Sequence, residues 1–152
     1  MPLSFEAKTI ISDTSCLIAL TNIGYLDVLH HLYETVLITP EIAIEYGESL
    51  PEWIMVKTVM DAGKTLAFNR FLDLGESSAI ALAMETKEAL LVIDDSEARK
   101  FALDLGYNIT GTLGILIRAY KKEMITDLSE AVLRLRENGF RLPSNTDELI
   151  LI

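Results

Sequence analysis

The sequence predicts an α/β protein, a three-layer α/β/α arrangement with a short parallel sheet. Short, almost entirely apolar segments alternate with longer segments of helical periodicity, and this alternation favours parallel pairing of the strands. The strand segments contain few polar residues, as expected where helices cover both faces of a sheet. The 152 residues contain no repeat and no Gly/Ser linker, so we expect a single domain over residues 1–152.

The predicted elements follow one another along the chain. Strands are predicted at 9–12, 36–38, 89–93 and 107–109, with a weaker extended segment at 53–59. Helices are predicted at 14–20, 25–33, 40–48, 61–72, 75–84, 96–105, 113–122 and, after a capping sequence at 127–130, up to about 138. Thr39 is the expected N-cap of the third helix and Pro40 its first residue. Residues 146–152 receive no element.

The chain is strongly acidic, with a formal net charge of −10 from 23 acidic and 13 basic residues. We do not expect such a chain to hold nucleic acid by a broad basic surface. The charge is compatible with a nuclease, because metal ions bound by a carboxylate cluster supply the positive charge that attracts phosphate. An acidic surface also suits a basic protein partner.

Other features concern location and assembly. No apolar run reaches the roughly eighteen residues that a membrane span needs, and residues 1–8 lack the pattern of a signal peptide. Cys16 is the only cysteine, so no intramolecular disulfide is expected. These features predict a cytoplasmic protein with no membrane association. Half of the residues are hydrophobic, which indicates an apolar surface patch and an oligomer.

Three aspartates directly follow predicted strands. Asp13 comes after the first strand, and Asp94 and Asp95 come after the most apolar one. If these strands are neighbours, the three carboxylates meet at the carboxyl edge of the sheet, where functional groups gather in such folds. Each also has a structural interpretation, because Asp13 could cap the helix at 14 and one of the pair should cap the helix at 96. Position alone leaves both interpretations open.

Two glutamates are further candidates. Glu45 shares one helix face with Glu41 and Glu48, and a solvated acidic stripe is the ordinary interpretation of that pattern. Glu76 lies in the first turn of its predicted helix, where the helix dipole favours a carboxylate. The pattern by itself therefore assigns a function to neither residue.

Five segments, in order, resemble the PIN-domain family, particularly bacterial and archaeal members that include VapC-type toxins. The segments are 10–15 (IISDTS), 38–47 (ITPEIAIEYG), 74–83 (LGESSAIALA), 92–95 (VIDD) with Ala98, Arg99 and Ala102, and 111–114 (GTLG). The resemblance covers roughly residues 9–120. It selects Glu45 from the three glutamates, while Asp94 and Asp95 both fit the fourth acidic position, with a slight preference for Asp94.

The resemblance implies a ribonuclease that uses Mg²⁺ or Mn²⁺ to cut single-stranded or structured RNA. These hard cations prefer carboxylate oxygen, whereas a zinc site is not expected from two adjacent histidines and one cysteine. The implied catalytic residues are Asp13, Glu45, Glu76 and Asp94; the implied metal ligands are Asp13, Glu45, Asp94 and Asp95; the candidate substrate-binding residues are Thr112, Arg99 and Arg118. The resemblance also implies a homodimer through residues 17–33 and a possible small basic antitoxin.

Two other function classes are compatible with parts of the sequence. A PIN-like scaffold would bind a partner without cutting anything, although the sequence keeps every acid. A phosphoryl-transfer enzyme would use Asp13 as its nucleophile, but dehalogenase-like enzymes need a second aspartate where this chain has Ser15. Receiver-like domains need an acidic pair near the first strand, where this chain has Asp13 alone.

Overall fold

The computed structural model describes residues 7–146, which form one five-stranded parallel sheet and eight helices. The strands are β1 (Thr9–Ser12), β2 (Thr35–Ile38), β3 (Ile54–Val56), β4 (Ala89–Val92) and β5 (Ile109–Thr110). The helices are α1 (Thr14–Ile23), α2 (Val28–Leu32), α3 (Pro40–Tyr46), α4 (Ala62–Phe68), α5 (Leu74–Met84), α6 (Ser96–Asp104), α7 (Thr112–Lys121) and α8 (Leu128–Glu137). The predicted three-layer α/β/α fold with a short parallel sheet is confirmed.

The sheet has the strand order β3-β2-β1-β4-β5, so β1 lies at its centre between β2 and β4. Ile10 and Ile11 of β1 and Leu91 and Val92 of β4 are completely buried. Helices cover both faces, which explains why these strands are apolar at successive positions instead of alternating. Pairing of Ser12 with Val92 brings the carboxyl ends of β1 and β4 together.

Polar side chains fix where several helices begin. Thr39 accepts a hydrogen bond from the backbone of Ile42 at 3.2 Å, and Pro40 is the first residue of α3, as predicted. Asp127 caps α8 by accepting from the backbone of Glu130 at 2.9 Å, again as predicted. Each cap satisfies a backbone N–H that the helix itself leaves without a partner.

Several boundaries differ from the prediction. The segment predicted as a strand at 107–109 forms its strand at Ile109–Thr110, because Leu91 and Val92 pair with those two residues. The helix predicted at 61–72 ends at Phe68, and α2 covers only part of the segment predicted at 25–33. In contrast, α1 continues beyond residue 20 to Ile23, where Gly24 ends it in the left-handed conformation with φ +79°.

The extended segment at 53–59 becomes a short edge strand paired with β2. Of the tail for which no element was predicted, only Thr146 falls within the described residues. Across residues 7–146, no helix is long and apolar enough to cross a membrane.

Candidate active site

Asp13 lies at the carboxyl end of β1 and joins the two central strands. Its backbone N–H donates to the carbonyl of Val92 at 2.9 Å. Its Oδ1 accepts from the backbone of Cys16 at 2.8 Å, and its Oδ2 accepts from the backbone of Asp94 at 2.9 Å. The side chain is only 2% exposed. Asp13 therefore caps α1 and also contacts the acidic segment after β4, so its two sequence interpretations are compatible.

Asp94 is held by the beginning of α7. The Thr112 backbone donates to its Oδ1 at 2.7 Å, and the Thr112 hydroxyl donates to its Oδ2 at 2.6 Å. Gly111 permits this close approach, because a Cβ at that position would lie 2.8 Å from Asp94 Oδ1 and 2.9 Å from Arg99 Nη1. Arg99 donates to the carbonyl of Ile93 at 2.7 Å. The structure thus brings together Asp94, Thr112 and Arg99.

Asp95 has a different position from its neighbour. Its side chain is exposed, and its Oδ2 accepts from the backbone of Ala98 at 3.0 Å as the N-cap of α6. One of the two aspartates was expected to cap this helix, and that residue is Asp95. Asp94 is the member of the pair whose backbone contacts the Asp13 carboxylate.

Glu45 is placed by two residues that the sequence analysis did not single out. The Thr14 hydroxyl donates to Glu45 Oε1 at 2.6 Å, and Thr14 directly follows Asp13. A Cβ on Gly75 would collide with the same carboxylate oxygen, so the carboxylate lies against the backbone of α5. A glycine inside a helix costs about 1 kcal/mol relative to alanine, and that local penalty was the available sequence signal for this close approach.

Glu76 lies half-buried in the first turn of α5. Its backbone N–H donates to Asp73 Oδ1 at 2.8 Å. The pKa of Glu76 is raised to about 7, first by burial and then by the negative charges of Asp73 and Asp95. Glu76 also contributes repulsion at Asp13, which indicates that this glutamate belongs to the same acidic region.

The acidic region consists of Asp13, Glu76 and Asp94, and Arg99 is the cation that acts on Asp94. The pKa of Asp13 is raised to about 8, first by burial and then by the charge of Asp94, while the backbone N–H groups of Cys16 and Asp94 oppose the shift. Burial also raises the pKa of Asp94, while hydrogen bonds from Thr112 and the charge of Arg99 oppose that shift. Two neighbouring carboxylates that favour protonation, Asp13 buried and Asp94 partly buried, indicate a place where a cation would be stabilised.

Arg118, the remaining predicted site residue, is not brought to this region. It lies six residues into α7 and interacts electrostatically with Tyr33, opposing the rise in the pKa of that phenol caused by burial. Tyr33 precedes β2, whereas the acids follow β1 and β4. The two groups therefore lie towards opposite ends of the parallel sheet.

The donor set suits a hard divalent cation held by few protein ligands. Carboxylate and hydroxyl oxygens surround the Asp13–Asp94 pair, and each carboxylate oxygen has two lone-pair directions, of which the observed hydrogen bonds use one. Within the part of the chain that is described, no three His, Cys, Asp or Glu residues are grouped closely enough to hold a metal ion. Mg²⁺ commonly binds through one or two carboxylates and retains several waters, so this pair fits such an ion.

The parallel sheet and the acids at the ends of its central strands define an α/β protein of PIN-like architecture. The family model of the PIN domain matches residues 9–151, and the chain belongs to the PIN-domain family. No curated protein and no solved structure matches the chain significantly. PIN domains are generally nucleases and usually use divalent metal ions.

Proposed function

We propose that this protein is a metal-dependent endoribonuclease that hydrolyses phosphodiester bonds of single-stranded or structured RNA. The observation that carries the proposal is the carboxylate pair of Asp13, which is buried, and Asp94, which is partly buried. Backbone and hydroxyl donors orient both groups, and the pKa of each is raised. Membership of a family whose members are generally nucleases supports the same conclusion.

Asp13 and Asp94 would hold Mg²⁺ or Mn²⁺, and Glu45 is proposed as a further ligand. A bound ion of this kind lowers the pKa of a coordinated water and offsets the negative charge of the phosphate. Thr112 fixes the orientation of Asp94 through two hydrogen bonds, and Thr14 fixes that of Glu45 through one. These contacts reduce the reorganisation that ligand binding would otherwise require.

Glu76 and Asp95 have separate proposed roles. Glu76 is half-buried in the same acidic region and is proposed to accept a proton from the attacking water or to serve as a further metal ligand. Asp95 already caps α6 and is exposed. We therefore propose that Asp95 adds negative charge near the site and that Asp94 is the ligand. Arg99, which lies against Asp94, is proposed to bind a phosphate of the substrate.

The geometry of Asp13 argues against the aspartyl-phosphate alternative. A nucleophilic carboxylate must reach the phosphorus atom, but Asp13 is 2% exposed and both of its oxygens accept backbone hydrogen bonds. Attack would require the loss of the α1 cap and of the contact to Asp94. A metal ligand needs only the remaining lone pairs.

Partners and assembly belong to the same proposal. RNA is the proposed substrate, a small basic antitoxin is a proposed partner of this acidic chain, and we propose a cytoplasmic homodimer. The predicted interface at 17–33 contains one large apolar side chain that is substantially exposed in the described structure, Ile18, at 40%. Other exposed apolar side chains lie elsewhere, and they include Ile44, Met55, Met60, Leu66 and Phe71.

The decisive experiment is an RNA cleavage assay with Mn²⁺ that compares the wild type with Asp13→Asn. The matched control is Asp127→Asn, because Asp127 also caps a helix but belongs to α8 and not to the acidic region. We expect cleavage by the wild type and by Asp127→Asn, and no cleavage by Asp13→Asn or by any protein in EDTA. Equal cleavage by the wild type and Asp13→Asn would contradict the proposal.

A further inference from the structure

A groove of about 1050 Å³ opens beside Asp94 and Asp95. One side is formed by residues of α1, including Ile18 and Asn22, and another by residues 138–143 and 145, after α8. We call it the C-terminal groove. Because its lining includes Asp94, it is continuous with the proposed metal site.

The segment that follows α8 is fixed in place and forms a wall of this groove. The Phe140 backbone donates to Leu135 at 2.9 Å, and the Phe140 and Leu142 side chains pack against the core. Thr146 is 2% exposed, and its backbone donates to Pro143 at 3.1 Å. Arg141 lies between the two apolar anchors and is exposed in the groove lining.

A hydrogen bond also connects the two helices that line the groove, α1 and α8. Arg134 of α8 donates to the carbonyl of Ile23, the last residue of α1, at 3.2 Å. This hydrogen bond links α1 to α8, and both helices contribute residues to the groove lining.

The lining combines the groups that bind single-stranded nucleic acid. Its positively charged side chains are Arg99 and Arg141, which suit phosphate. Asn22 and Asn145 are exposed amides that can form hydrogen bonds with base edges, and the part of Phe140 that is not packed against the core supplies apolar surface. The two arginines share the groove with Asp94 and Asp95, so a phosphate bound by an arginine would lie near the proposed metal site.

We propose that the C-terminal groove holds the single-stranded RNA next to the bond that is cut, and that Arg141 binds one of its phosphates. This inference rests on the proposed nuclease function and adds to it a wall formed by the segment after α8. The groove then determines which stretch of RNA reaches Asp94, and residues 138–145 contribute to the sequence preference.

The test measures binding separately from cleavage. A short fluorescent single-stranded RNA is titrated in EDTA and again in Ca²⁺, which also binds carboxylates, at several salt concentrations, with the wild type, Arg141→Ala, Arg141→Lys and Arg70→Ala. No binding by the wild type in either condition would overturn the inference. Arg70 is the matched control, since it is an exposed arginine outside the groove lining. We expect Arg141→Ala to weaken binding about tenfold and to reduce the salt slope by about 0.7, the value for one phosphate contact on a single strand. Arg141→Lys should recover most of the affinity, and Arg70→Ala should bind like the wild type.

Cleavage with Mn²⁺ supplies the second measurement. Arg141→Ala should raise KM with little change in kcat, because the lost contact is made equally in the ground and transition states. Wild-type affinity and salt slope for Arg141→Ala would overturn the inference, and so would an equal loss for Arg70→Ala. Equal binding of a duplex with the same Arg141 dependence would overturn the single-strand assignment, as would binding of a lysine-rich peptide in place of RNA. If the wild type binds RNA through Arg141 but does not cut it, the nuclease proposal is contradicted, whereas the assignment of the groove to RNA binding is supported.

Discussion

Replacing Asp13 with asparagine separates the two roles that this residue combines. Asparagine caps helices about as well as aspartate, so the hydrogen bond to the Cys16 backbone can be kept. The negative charge is lost. We therefore expect the variant to fold, to be more stable than the metal-free wild type at neutral pH, and to lose metal-dependent cleavage.

The magnitude follows from the pKa of Asp13, which is raised from 3.8 to about 8. One pKa unit corresponds to about 1.4 kcal/mol, so holding this carboxyl in the folded protein costs about 4 kcal/mol at pH 7. Asparagine offers one carbonyl oxygen where aspartate accepts from both Cys16 and Asp94, and leaving one N–H without a partner costs about 1–3 kcal/mol. The net gain for Asp13→Asn in EDTA is then about 1–3 kcal/mol, or several degrees in Tm.

The sign of the pH dependence follows from proton linkage. The folded wild type keeps a proton on Asp13 that the unfolded chain releases, so the metal-free wild type loses stability as the pH rises from about 4 to about 8. The variant has no such group at residue 13. Its advantage should therefore grow across this window and disappear near pH 4, where only the lost hydrogen bond remains.

The assay pairs thermal unfolding in EDTA at several pH values with RNA cleavage in Mn²⁺. Loss of a metal ligand should reduce cleavage by more than the roughly 10- to 100-fold typical of changes to supporting residues. A variant that cuts RNA as fast as the wild type would refute the role of Asp13 as a ligand. A variant that is less stable than the wild type at pH 8 in EDTA would refute the electrostatic reasoning.

Four further outcomes are expected. Millimolar Mn²⁺ or Mg²⁺ should raise the Tm of the wild type, because the ion binds the folded cluster and not the unfolded chain; a midpoint unchanged by both Mn²⁺ and EDTA would contradict the site. Gly75→Ala should displace the Glu45 carboxylate and weaken Mn²⁺ binding about tenfold at nearly unchanged Tm, as measured by titration calorimetry. Asp95→Asn should retain cleavage and stability, whereas Asp94→Asn should lose the Mn²⁺-dependent rise in Tm; the opposite pattern would exchange their assignments. Sedimentation velocity at micromolar concentration should show a dimer, and a monomer would refute that prediction alone.

The sequence predicted the architecture because its strongest signals are local. The apolar runs at β1 and β4 and the N-cap at Thr39 depend on neighbouring residues, and the structure contains each of them. The position of β5 could not be predicted from neighbouring residues. Its residues are determined by pairing with Leu91 and Val92, which lie about eighteen residues earlier in the chain.

The candidate site was predictable only in part, for a related reason. Convergence of Asp13 and Asp94 needed one assumption, that β1 and β4 are neighbours, and the strand order confirms it. The contacts of Glu45 with Thr14 and Gly75 depend on how three helices meet, which no periodicity encodes. Arg118 was a candidate on charge alone, and only the tertiary structure places it beside Tyr33.

The number of residues between each strand and the next helix explains why Asp13 has two roles, helix cap and proposed ligand, while Asp94 and Asp95 have one each. After β1, helix α1 begins at Thr14, so the residue that ends the strand must also be the N-cap, and Asp13 performs both tasks. After β4, three residues precede α6. Asp94 can then be held by α7 and contact Asp13 through its backbone N–H, while Asp95 caps the helix. At the end of β1, Asp13 is both the helix cap and the proposed ligand, whereas at the end of β4 these two roles belong to Asp95 and Asp94. At Asp13, only a substitution that preserves the cap can distinguish catalysis from structure.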